Sequence, residues 1–245
     1  MGFAGLRINS LGYHVLKINT LKVFKHQHWH IVILLALLYG LYLIIQGNPL
    51  VLQGELFNIP GRIWFLLAVI SPVLHQLYVL ICWRLELYHK SLSKLLGDKA
   101  FNYFKIVFAI LILSRIITVI LLAVSTSHTL KINTGLSYVL AVILLLPASY
   151  LFYSVKKYFG MDRAFGLDHF EPEHFKNEPF VRKGIFKYTA NGMYIYGFLI
   201  LWIPGLLLQS GAAILIALFN HLYIWVHYYF TELPDIREIY RGQNK

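Results

Sequence analysis

MYIYGFLILWIPGLLLQSGAAILIALFNHLYIWVHYYF, residues 193–230, is the stretch on which the fold turns. A helix that crosses a bilayer needs about 20 mostly apolar residues, and this run is nearly twice that long. Gln209-Ser210-Gly211 breaks it near the middle. The break predicts two antiparallel helices, 191–208 and 212–231, joined by a tight turn. Applied outward along the chain, the same criterion finds four earlier spans, at 31–45, 63–83, 106–124 and 136–155. The composition agrees: of 245 residues, 58% are hydrophobic and only 13% charged, about half the charged share of an ordinary soluble domain. Mean hydropathy is +0.62. The expected fold class is an all-α integral membrane protein of about six transmembrane helices, closed by a C-terminal helical hairpin.

The formal net charge is +11, and its distribution orients the chain. All the Lys and Arg except Arg62, Arg115 and Lys131 fall before the first span, in 84–105, in 156–187 or after Glu232. Basic residues gather on the cytoplasmic side of membrane proteins, so six spans with both termini cytoplasmic is the expected topology. Anionic lipid head groups explain the surplus charge more simply than nucleic acid does, and no nucleic-acid partner is expected. Three regions follow. Residues 1–28 form a basic lead in which Leu6, Ile8, Leu11, Val15, Leu16 and Ile18 interleave with Arg7, Lys17 and Lys22, the pattern of an amphipathic surface helix. Residues 29–157 hold four spans, and 158–245 hold a loop, the hairpin and a tail. Cys82 is a lone cysteine in an apolar stretch, so no internal disulfide is possible and a small buried side chain is expected.

Polar residues at membrane depth need a reason. Arg115 sits mid-span with no Asp or Glu in any predicted span to pair with it. Backbone carbonyls, polar side chains, snorkelling or an anionic ligand such as a lipid phosphate could each answer it. In the last span Asn220, Tyr223, His227 and Thr231 recur at spacings of three and four, which puts them on one helix face. That face suits either a pocket wall or a hydrogen-bonded helix contact; Trp225, Tyr228 and Tyr229 beside it read as interfacial aromatics. Two histidine-bearing runs, Asp168-His169-Phe-Glu171-Pro-Glu173-His174 and His26-x-His28-x-His30, have ligand chemistry but not helical ligand spacing, so no metal is expected.

The last third of the chain carries the motif. Gly184-Ile-Phe186-Lys-Tyr188-Thr-Ala190-Asn191-Gly192-Met-Tyr194-Ile-Tyr-Gly197 leads into the hairpin. After the hairpin come Glu232, Pro234, Tyr240 and Gly242. Residues 158–242 resemble the membrane methyltransferases that include phosphatidylethanolamine N-methyltransferases and isoprenylcysteine carboxyl methyltransferases. Gly184, Phe186, Tyr188 and Tyr194 fall in register with that family's loop pattern, Gly197 stands near its following glycine, and Glu232 with Tyr240 and Gly242 matches its tail. One triplet departs: Ala190-Asn191-Gly192 replaces the family's Arg-His-Pro, which implies an altered pocket or a shifted activity.

The resemblance implies S-adenosylmethionine as methyl donor, held on the cytoplasmic side by Gly184, Phe186, Tyr188, Asn191, Gly192, Tyr194 and Glu232. Asn191-Gly192 would open a helix whose free N–H groups suit the cofactor's carboxylate, and Glu232 with Tyr188 or Tyr194 would offset the sulfonium charge. Glu232, His169 and His227 are candidate catalytic bases. Arg115, Asn220 and Tyr223 are candidate substrate contacts for a lipid entering from the bilayer, which is both solvent and expected substrate; a phospholipid amine is favoured over an isoprenylcysteine carboxylate or a small thiol. A small transporter using Arg115 and the Asn220/His227 stripe, or a non-catalytic member that has lost the pocket, are the rival readings.

Overall fold

A computed structural model describes residues 21–240 of the chain. The amphipathic lead predicted for 1–28 lies largely outside them, as does Gly242. Helix α1 (Gln27–Gly47) leads through a 3-10 turn into a two-residue ladder, β1 (Glu55–Leu56) against β2 (Ile59–Pro60). The ladder turns at Phe57 and Asn58, both with positive φ, as a tight hairpin of this length requires. α2 (Gly61–His89) follows, then short α3 (Ser91–Leu96), α4 (Ala100–Ser125) and α5 (Thr134–Ser154). α5 runs on as a π-turn, Val155–Phe159. Three one-turn helices come next: α6 (Met161–Ala164), α7 (Leu167–Phe170) and α8 (Pro172–Phe175). The first arm of the hairpin is α9 (Gly192–Tyr196), a 3-10 turn Gly197–Leu201, and α10 (Ile203–Leu207). The second arm is α11 (Gly211–His227), which passes through a π-turn, Tyr228–Glu232, into α12 (Leu233–Ile239).

Among the described residues, five helical segments are long and apolar enough to cross a membrane: Leu21–Gly47, Gly61–His89, Ser91–Ser125, Thr134–Phe159 and Gly211–Ile239. The continuous helix expected over 191–208 is instead a broken one. Pro204 cannot donate to the turn before it, and Gly197 and Gly205 let the arm press against its neighbours: a Cβ at Gly197 would lie 2.9 Å from Leu151 and one at Gly205 2.9 Å from Ile214. The turn expected at Gln209-Ser210-Gly211 is where α10 and α11 meet. Gln209 has φ 50, and Ser210 caps α11 by accepting from the Ala213 N–H at 3.1 Å.

α11 is the centre of the bundle. Its Ala212, Ala213, Ile216, Ala217, Phe219 and Tyr223 are buried in one core with Leu34 and Leu41 of α1, Trp64 and Ala68 of α2, and Val119 and Leu122 of α4. The three alanines let backbones approach closely, which is how helices pack where lipid replaces water. The outer faces are the reverse of a soluble protein's. Ile31, Leu35 and Leu43 on α1, Ile106, Ile110 and Leu113 on α4, and Val139, Ile143 and Leu146 on α5 are exposed, a surface suited to hydrocarbon.

One charged side chain ties the bundle's polar end together. Arg84 of α2 has no exposed surface. Its Nε donates to Asp235 Oδ2 at 2.8 Å. Nη1 reaches the carbonyls of Lys22, Val23 and Lys25 at 2.8–3.2 Å, and Nη2 those of Phe230 and Thr231 at 3.2 and 3.1 Å. The last two lie in the π-turn, whose altered register releases carbonyls from the helical ladder. Removing one member of a buried ion pair strands the other, at a cost of about 3–5 kcal/mol. R84M is therefore expected to lower the unfolding temperature sharply in detergent, as read by loss of the monodisperse peak after heating, whereas K94M on the exposed face of α3 leaves it unchanged.

Candidate active site

The loop before the hairpin and the tail after it meet at the Arg84 end of the bundle. α7 brings Asp168 and His169, both buried, under the tail. His169 Nδ1 is 3.0 Å from Asp168 Oδ1, its Nε2 is 3.8 Å from Asp235 Oδ2, and its ring stacks on Trp83 at 4.1 Å. Tyr240 donates to Asp168 at 3.2 Å and accepts from Arg163 at 3.1 Å. Tyr88 donates to Asp235 at 3.2 Å. Burial works against a charge on His169, but the Asp168 carboxylate, with Asp235 behind it, outweighs burial and lifts its pKa to about 9. Asp168 is likewise resisted by burial and held below its ordinary value by His169, Tyr240 and Arg163. His169 is thus an ion-paired cation at neutral pH. The rest of that run separates from it, since Glu171, Glu173 and His174 are exposed. In the other histidine run, His28 is exposed while His30 is buried and paired with the Tyr223 hydroxyl at 3.1 Å. Among the described residues no three His, Cys, Asp or Glu side chains are grouped to hold a metal ion.

Glu232 stands at the last position of the π-turn and accepts a hydrogen bond from Tyr194 of α9. Tyr194 packs on Tyr228 at 5.1 Å and on Trp225 at 5.8 Å, and those two rings meet edge to face at 5.6 Å. Trp225 and Tyr228, expected at the membrane interface, form with Tyr194 a three-ring cluster beside one carboxylate; Tyr229 stays exposed. Carboxylate and ring faces both attract a cation, so the residues present fit the sulfonium end of an S-adenosylmethionine.

The loop motif is split. Phe186 is buried and stacks on Phe159 at 5.0 Å. Gly184 has φ 59 and is pressed on Ser154, whose Oγ accepts from the Ile185 N–H at 3.1 Å. Gly192 faces Ile185, Leu151 and Phe186, where an added Cβ would lie at 3.2–3.5 Å. Its close approach is to the protein's own side chains. Asn191 precedes a helix of only five residues, too short to gather much dipole. Tyr188 is 75% exposed. A cleft of about 530 Å³ opens on the outer side of this loop, among Tyr158, Phe159, Arg163, Phe180, Arg182 and Lys183; it contains neither Glu232 nor Tyr194.

The polar stripe of α11 is buried in the bundle. Asn220 accepts from Arg115 Nε at 2.9 Å, and His227 lies between His30 and Trp83, with ring centroids 6.0 and 5.8 Å away. Of the four answers foreseen for Arg115, polar side chains supply two of its contacts, Asn220 and His75.

This geometry has a counterpart in sequence. Residues 136–243 match the phospholipid methyltransferase family. The match supports methyltransferase activity in general, and it bears out the resemblance read from the loop and tail. No curated protein matches the chain, and no solved structure does. The matched segment begins in α5 and takes in Asp168, His169, Tyr194, His227 and Glu232. It leaves α1, α2 and α4 outside, so Arg84, Trp83, His75, His30 and Arg115 are contributions of the other half. Sequence reading passed over Arg84, Asp235 and Trp83. His75 and Gln76 did give a signal, as polar residues inside a predicted span.

The His169–Asp168 pair has a pH signature. His169, raised above its ordinary 6.5 to about 9, stabilises the fold fully below 6.5 and loses that contribution as pH rises through 9. Asp168, held below its ordinary 3.8, contributes above that value and loses its share as pH falls. The unfolding temperature in detergent is expected to be highest between these limits and to decline toward about pH 9. H169Q should flatten the alkaline decline; an unchanged profile would remove the ion pair from the account.

Proposed function

We propose that the chain is an integral membrane methyltransferase that moves a methyl group from S-adenosylmethionine to a lipid or other apolar acceptor, with a phospholipid amine favoured. One observation carries the reading: a carboxylate, Glu232, beside the rings of Tyr194, Trp225 and Tyr228 within the family-matched segment. When bound, the cofactor supplies an activated methyl group for in-line displacement. Glu232 balances the positive charge, the three rings lie against it, and Tyr194 fixes the carboxylate. Most of the remaining rate comes from positioning two reactants out of water. An amine acceptor must lose a proton; the ring nitrogens of His227 have no hydrogen-bond partner and are open to it, whereas those of His169 are engaged in its ion pair. The acceptor reaches the site from the lipid-facing side of the bundle.

The fine topology belongs to the same proposal. The arm Gly192–Leu207 is apolar but only 16 residues long, about 25 Å with its 3-10 turn. It makes the sixth crossing of a slightly thinner slab than the usual ~30 Å. Both termini and the Glu232 site then face the cytoplasm, in keeping with the placement of Lys and Arg. Residues 29–157 serve as the acceptor-side scaffold and 158–245 as the cofactor-binding part.

Isothermal titration of detergent-purified protein with S-adenosylhomocysteine tests the reading. Saturable binding is expected, weakened about tenfold or more in E232Q and less in Y194F, since a buried charged hydrogen bond is worth about 1.5–3 kcal/mol. No binding by folded wild-type protein would turn the assignment to a non-catalytic member or a transporter.

A further inference from the structure

Arg115 is 2% exposed and sits inside the bundle with its donors incompletely used. Nε donates to Asn220 and Nη1 to His75 Nδ1 at 3.1 Å, and the guanidinium lies 4.9 Å from the centre of the Phe198 ring. Nη2 has no partner. A guanidinium only donates, so His75 Nδ1 accepts and a neutral His75 carries its proton on Nε2. That N–H is also buried without a partner. Asn220 is committed, because its amide donates to the Ile216 carbonyl at 2.8 Å. Among the described residues Arg115 takes part in no salt bridge, in contrast to Arg84 with its Asp235.

The unused donors continue toward the Arg84 end. His227 lacks a partner at both ring nitrogens, and Trp83 Nε1 and His169 Nε2 lack hydrogen-bond partners as well. His75 and Trp83 are eight residues apart on α2, about 12 Å along its axis. A polar column therefore runs from the Asp168–His169 layer down to Arg115. Buried polar atoms without partners are rare, and each asks for a water or a ligand. Water can serve the neutral donors, but it does not balance a buried cation.

We infer that the Arg115–His75 pair is the floor of an oxyanion-binding site, which takes the phosphate or carboxylate group of a ligand whose remainder lies along the column toward His227 and Trp83. The oxyanion accepts from Arg115 Nη2 and supplies the missing negative charge. The site is built mainly by α2 and α4, outside the family-matched segment, and it does not rest on the methyltransferase reading.

The test is thermal unfolding of the full chain, delipidated in a maltoside detergent. Inorganic phosphate, a short-chain phosphatidylethanolamine and hexanoate are added separately, against chloride at equal ionic strength. At least one oxyanion is expected to raise the unfolding temperature saturably, and R115Q to abolish the rise. A rise with the phospholipid alone assigns the ligand to a lipid head group; a rise with inorganic phosphate assigns it to free phosphate, and with hexanoate alone to a carboxylate. If R115Q does not fold, R115K is read instead. Lysine keeps the charge but cannot donate in one plane to Asn220, His75 and a ligand, so affinity should fall about tenfold or more. No rise with any oxyanion, or a rise of equal midpoint in the variant that is read, overturns the site. Loss of S-adenosylhomocysteine binding would leave this result untouched, so the two readings fail separately.

Discussion

A charge inside a lipid-embedded bundle has to bring its partners with it, and Arg84 meets that demand in full. All three of its nitrogens are engaged, and the partners come from the start of the described chain, the π-turn after α11, and α12. Arg84 works with the apolar packing of Ile239 and Tyr240 on Phe175 to hold the short α12 against the bundle. With the tail fixed, Asp235 faces His169 and Tyr88, Tyr240 reaches Asp168, and Glu232 is held where Tyr194 can donate to it. The Arg84–Asp235 ion pair thus borders the candidate active site through His169.

Arg84 and Arg115 illustrate the same rule with opposite outcomes. Both are arginines buried in helices of the N-terminal half. One is satisfied by a carboxylate and five carbonyls, the other by an amide, an imidazole and a ring face. The first is a structural clamp. The second is an unfinished set of donors, and the polar atoms left over beside it are distributed along one path rather than scattered through the core.

Much of this was legible in the residues. Apolar runs of the right length gave the long helices, and Gln209-Ser210-Gly211 gave the hairpin turn, because length and turn chemistry are local properties. The broken arm before the turn was missed although Pro204 and Gly205 stand in plain view, since an apolar run conceals a change of helix type. The loop motif located the right segment, but it did not reveal which way each side chain points: Tyr194 turns inward to Glu232, while Tyr188, six residues earlier, turns out. The polar column was hidden for a different reason. His30, His75, Arg115 and His227 come from four helices, and each alone looks like an isolated exception in a greasy span. Only packing shows that the exceptions face one another.

The π-turn at Tyr228–Glu232 carries a consequence for how this chain can vary. A π-turn holds one residue more than the α-helical turn it interrupts. Taking out a single residue there would restore an unbroken α-helix, yet it would rotate everything beyond by about 100° and draw it back by about 1.5 Å. Glu232 and Asp235 would both swing away from Tyr194 and Arg84 at once. The tail's angular phase is set by an added residue, so the length of this turn is constrained as well as the identities of the side chains within it.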